Sequence, residues 1–223
     1  MVALIGRRRV VLGGLALAAA GSANAAAIPP IPPGNRLAFD VIRNGSKIGT
    51  HVLDFEIAGD RLDVNIAVDL AIGIGPLTLF RYTHRAVETW KGGEVQAIDA
   101  MTDHDGTKHR LTMKRHPKGI RVVGGKGSYL APPETLPATH WNRRMLDGPM
   151  VNTETGALMH PHITNHGVET VKTISAASVQ ADHFSLSGDV ILETWYDSSP
   201  RWVGLGFAGS DGSMIRYLLA TVS

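Results

Sequence analysis

The chain is patterned in twos. Over residues 62–74 every even position is apolar (Leu62, Val64, Ile66, Val68, Leu70, Ile72 and Ile74), set against Asp63, Asn65, Ala67, Asp69, Ala71 and Gly73. Such alternation marks a strand with one buried face. At about 3.3 Å per residue the segment would run roughly 43 Å, far beyond an ordinary strand, so it is expected to bend, with Ala71, Gly73 and Gly75 permitting the curvature. Before it, Leu37, Phe39 and Val41 alternate in the same way, and Asn44-Gly45 supplies the positive-φ pair of a two-residue type I′ turn. The pattern returns over 48–57, and Gly59-Asp60 makes the next tight turn. The following strand, 77–90, has apolar residues at odd positions 77 and 79 and then at even positions in Phe80 and Tyr82, a phase slip that predicts a bulge near Leu79.

Shorter strands are expected over 94–102, 108–115 and 120–123, and near the end over 190–196, 203–207 and 215–219. Between these groups, 129–156 breaks the rhythm with Pro132, Pro133, Pro137 and Pro149, and one short helix is expected over 141–146, capped by Thr139 or His140. Strands joined by short turns, with no helices between them, pair antiparallel. The expected fold is therefore mainly β: an antiparallel curved sheet or half-open β-barrel with one short helix and a Pro-rich excursion, forming a single domain over 36–223.

The amino terminus does not share this pattern. Arg7, Arg8 and Arg9 precede an apolar run over 10–20 and the small-x-small triplet Ala23-Asn24-Ala25, which reads as a signal peptide cleaved after Ala25. The arginine pair with Leu12 and the mild hydrophobicity favour the twin-arginine route over the general secretory one. Residues 26–35 form a Pro-rich spacer. The address expected is the periplasm or the exterior. Three of the 22 basic groups lie within 1–25, which contains no acid, so 19 remain against 20 acidic groups in the mature chain. The precursor's excess positive charge thus gives no ground for nucleic acid as a partner. Cysteine is absent, which excludes disulfides, thiolate metal sites and a lipoprotein anchor. No integral membrane segment is expected in the mature chain, and no cofactor motif is present.

Four clusters could carry chemistry. On strand 77–90, Tyr82, His84, Glu88 and Trp90 share the even face, and if that face looks inward they form an aromatic pocket with perturbed titration; otherwise His84 and Glu88 pair across strands. In the excursion, Thr139-His140-Trp141-Asn142 is either part of a ligand site, with His140 and Trp141 in contact with it, or a plug in which Trp141 closes one end of the sheet. His160-x-His162, with His166 nearby and Glu154 or another histidine completing the set, could hold a zinc ion, and equally fits an exposed loop or edge strand. Asp103-His104-Asp105-Gly106 has the opening of a calcium loop but lacks its distal acids, and reads more simply as a turn. No Gly-x-Ser-x-Gly or Ser-x-x-Lys occurs.

The series Asn44-Gly45, Ile48-Gly49-Thr50-His51, Tyr82-x-His84-Arg85-x-x-Glu88-x-Trp90, Thr102-Asp103-x-Asp105-Gly106, Thr139-His140-Trp141-Asn142, Thr155-Gly156, Gly188-Asp189 and Trp195-Tyr196-Asp197 resembles domain of unknown function family 6134, a group of secreted proteobacterial proteins. That family is more distantly similar to another family of exported unknowns and to the half-barrels of periplasmic lipoprotein carriers, which cradle acyl chains. The resemblance implies an architecture and carries no catalytic residue. The leading expectation is an exported, non-enzymatic binding protein for a lipid or other apolar ligand, or for a partner's apolar segment. The rivals are a metal-dependent hydrolase using clustered histidines and a structural or assembly factor without ligand.

Overall fold

The computed structural model describes residues 31–74, 77–175 and 177–221. Residues 1–25, read above as a signal, residues 26–30 of the Pro-rich spacer and Gly75 lie outside the described residues. The first group of strands is β1 (Arg36–Arg43), β2 (Ser46–Ala58), β3 (Arg61–Ile74), β4 (Leu77–Lys91), β5 (Glu94–His104), β6 (Thr107–His116), β7 (Gly119–Gly124) and β8 (Gly127–Ala131). Three two-residue strands follow in the excursion: β9 (Leu136–Pro137), β10 (Met150–Val151) and β11 (Leu158–Met159). The last group is β12 (His162–Lys172), β13 (Ser178–Ser187), β14 (Leu192–Asp197), β15 (Trp202–Ala208) and β16 (Met214–Thr221).

Each group is a meander of hairpins, and the two join where β16 pairs antiparallel with β1. The result is one thirteen-stranded antiparallel sheet, ordered β12 to β16 and then β1 to β8, while β9, β10 and β11 form a separate small sheet. The large sheet keeps two free edges, β12 and β8, so it does not close into a barrel.

Local chemistry sets this register. Asn44 and Gly45 both take positive φ, 47° and 87°, turning β1 into β2. Leu79 is the extra residue of a bulge, since Ile72 faces Phe80 while Gly73 faces Thr78. Beside the first hairpin β2 runs so close to β3 that a Cβ on Gly49 would lie 1.9 Å from the Asp69 carbonyl oxygen. The Asp103 side chain accepts the Gly106 N–H at 2.8 Å, the bond a tight turn requires.

Alternate residues of the long strands face a shared interior: Phe39 and Val41, Leu53 and Phe55, Val64 and Ile66, and Tyr217 and Leu219 are all buried. The excursion crosses this interior. Arg143 stacks over the Phe184 ring of β13 at 5.0 Å, Tyr196 of β14 donates to the His140 carbonyl at 2.8 Å, and Trp141 packs edge-on against Phe55 of β2 and Trp90 of β4. One segment touching both halves of the sheet requires that their inner faces look toward each other.

The excursion contains a single turn of 3₁₀ helix, Arg143–Asp147, in place of the expected helix over 141–146. Its cap is Asn142, whose side chain accepts the Arg144 N–H at 3.1 Å. Thr139 instead bonds Glu88, and His140 sits at φ 67°, which places neither at a cap. Five residues running into Pro149 leave little room for more than i→i+3 bonding.

Candidate functional site

The inner face divides into a closed end and an open end. Glu88 lies at the closed end, fully buried. Its Oε2 accepts the indole N–H of Trp90 at 2.7 Å and that of Trp141 at 2.9 Å. Burial raises the pKa of this carboxyl, opposed by the hydrogen bonds from Thr139, Trp141 and Trp90. Val64 of β3 and Ile98 of β5 flank it across the sheet, and Leu62, Met113 and Met145 are buried in the same core. Here the even face of β4 looks inward as the alternation implies, and Glu88, Trp90 and Trp141 come together as an interlock between sheet and excursion.

At the open end the same strands line a cavity of about 850 Å³. Its walls are Ile66, Val68, Leu70 and Ile72 of β3, with Leu205 and Ile215 of β15 and β16 opposite. Ile191 at the mouth is 78% exposed. The polar lining is dominated by histidines. His51 lies against Trp202, Tyr217 and Phe39, only 6% exposed, and neither ring nitrogen has a hydrogen-bond partner. His140 faces the same Trp202 ring at 5.5 Å, and its Nδ1 is likewise buried and unpartnered. His84 pairs through Nδ1 with Thr102 Oγ1 at 2.7 Å.

Burial lowers the pKa of His51 to about 3, helped by His140 and His84. Burial also takes His84 and His140 to about 4. All three are therefore neutral at pH 7. A buried polar atom without a partner costs roughly 1–3 kcal/mol, so the arrangement is held against its own stability.

Tyr82 continues the lining. Its hydroxyl donates to Glu154 Oε2 at 3.3 Å, and the other oxygen of Glu154 meets His104 Nδ1 at 3.0 Å. Burial, then the Glu154 charge, hold the Tyr82 phenol well above its ordinary pKa. His51, Tyr217, His104 and Glu154 join Tyr82, His84 and His140 here although the candidate ligand set did not include them. A signal existed: His51 alternates with Leu53 and Phe55, and Tyr217 with Ile215 and Leu219, so both belong to the inner face.

A family model described as Domain of unknown function (DUF6134) matches residues 39–220. The chain belongs to this family. No curated protein matches it. The DUF6134 match spans both ends of the inner face, including every residue of the cavity described above.

The remaining candidates lie elsewhere on this DUF6134 chain. His160 is exposed, with its N–H bonded to Asp189. His162 opens the edge strand β12 opposite Ser187, and His166 meets Ser185 Oγ at 2.8 Å with its ring against His183. Glu154, considered as their companion ligand, is turned into the cavity toward His104 and Tyr82. Among the described residues no group of three or more His, Cys, Asp or Glu is arranged to hold a metal ion. None of the described helices is long and apolar enough to cross a membrane.

Proposed function

We propose that this chain is an exported, non-enzymatic binding protein that holds one small amphipathic molecule in the open end of a half-open barrel. The observation that carries the reading is the cavity of about 850 Å³ with hydrocarbon walls and buried imidazoles in its lining. Volumes of roughly 300–1,000 Å³ with few convergent polar groups are what small-ligand sites present. A protein stabilised only by its core would gain by filling such a space, as the closed end does. The exposed Ile191 and Leu79 at the mouth give an apolar approach to it. Arg8-Arg9, the apolar run and Ala23-Asn24-Ala25 support export by the twin-arginine route and a working place in the periplasm.

The test is extraction. Chain purified without detergent from cells that export it should release a stoichiometric small molecule into organic solvent, read by mass spectrometry, and the stripped chain should take up a fluorescent apolar probe one to one. Stripped and unstripped chain of identical mass, with no probe uptake, would refute the reading.

A further inference from the structure

We propose that the group recognised deep in this cavity is an uncharged hydroxyl, so that the ligand is a predominantly hydrocarbon alcohol and neither a fatty acid nor a phospholipid; this rests on the binding reading above. Two imidazoles, His51 and His140, lie against the same indole, Trp202, and between them leave three buried ring nitrogens without a protein partner. A neutral imidazole offers one N–H and one lone pair. A hydroxyl has the complement of both: it donates to the lone pair of one ring and accepts the N–H of another. A carboxylate or phosphate can only accept, and would leave the ring lone pairs unmatched.

The charges around the cavity point the same way. Its titratable lining among the described residues is Arg43, His51, Tyr82, His84, His104, His140, Glu154, Asp211 and Tyr217. The guanidinium, Arg43, sits near the mouth and is engaged by the Asp211 carboxylate and by Ser213 Oγ. No unengaged cation is therefore offered to an anionic head. On the opposite wall Glu154 would repel one. Glu154 in turn is occupied by Tyr82 and His104, so a cationic head would have to displace both. Bringing an ion beside Ile66, Val68 and Leu205 without compensation is costly, whereas a hydroxyl ends a hydrocarbon chain at little penalty once its two hydrogen bonds are made.

Dodecanol, dodecanoate and dodecyltrimethylammonium share one tail and differ only in the head. Their binding to the stripped wild-type chain is measured by competition with a fluorescent apolar probe at about pH 8, where unperturbed histidines are neutral as well. The expected result is that dodecanol binds at least about tenfold more tightly than either ion, and that His51→Leu lowers the alcohol's affinity about tenfold while leaving the ions' weak binding unchanged. Equal or tighter binding of dodecanoate or of the ammonium compound overturns the hydroxyl assignment and leaves the binding reading standing. Unchanged dodecanol affinity in a folded His51→Leu chain also overturns it. Failure of all three, together with the probe, to bind overturns both. Should His51→Leu not fold, the order of affinities in the wild type and in His140→Gln decides.

Discussion

The closed and open ends of the inner face are built by the same strands with the same alternation, yet one is packed solid and the other surrounds a cavity of about 850 Å³. β4 contributes Glu88 and Trp90 to one end, and Tyr82 and His84 to the other. At the closed end the buried carboxyl takes two indole N–H groups brought to it from β4 and from the excursion. At the open end His51 and His140 keep buried nitrogens that no side chain satisfies. The first end is filled by its own side chains, although Glu88 Oε1 is buried there without a partner. The second makes sense as a place kept for another molecule, because its orphaned ring nitrogens belong to residues that line a cavity, whereas the orphaned Glu88 oxygen belongs to the packed core.

Acid should expose this difference most strongly. Three histidines are neutral in the fold, with pKa values of about 3, 4 and 4 against 6.5. Lowered folded pKa values mean that the unfolded chain binds protons first, so stability is full above about pH 6.5 and falls as pH drops toward 4. Each histidine contributes about 1.4 kcal/mol per pH unit in that window, roughly 4 kcal/mol per unit for the three. Glu88, with its raised pKa, acts in the reverse sense: its contribution is full below the ordinary carboxyl range and is lost as pH rises through its folded value, so it takes back part of the slope. Urea unfolding between pH 7 and 5 should show the fall, and His51→Leu should make it shallower. A flat profile would mean that these rings are hydrated.

Side-chain truncation should separate the ends next. Trp141→Ala removes the contacts to Phe55 and Trp90 and the bond to Glu88, and is expected to cost about 3–5 kcal/mol. Ile72→Ala, on a half-buried wall of the cavity, should cost about 1 kcal/mol or less. Similar losses in the two variants would show that the open end is packed in solution.

The smallest effect distinguishes geometry from charge at the closed end. Glu88→Gln retains an oxygen for both indoles and should shift stability by about 1 kcal/mol or less. Glu88→Ala leaves two N–H groups without a partner and should cost about 2–4 kcal/mol. A large loss in the Gln variant would require the ionised carboxylate.

Most of the sheet was legible because alternation is a local signal. The period of β3, the Asn44-Gly45 turn and the slip at Leu79 could each be read from a few neighbouring residues. The helix expected over 141–146 gives way to a 3₁₀ turn because its outcome depends on distant partners: Thr139 serves Glu88 and Asn142 takes the cap. The same limit applies to the site. Periodicity could place Tyr82, His84, Glu88 and Trp90 on one face, but which end of that face is filled depends on where the excursion lands, some fifty residues further along the chain. His51 lay in the same alternation as Leu53 and Phe55, and it gains meaning only once Trp202, about 150 residues away, is brought against it.

Filling the open end from within tests whether that space is a binding site. Leu70→Trp places an indole on the wall at a half-buried position of the inner face. Titrated with a fluorescent apolar probe, the wild-type chain should bind one equivalent, and the Leu70→Trp chain should bind at least about tenfold more weakly while its urea midpoint stays close to that of the wild type. Equal binding by both chains, or none by either, would contradict the account.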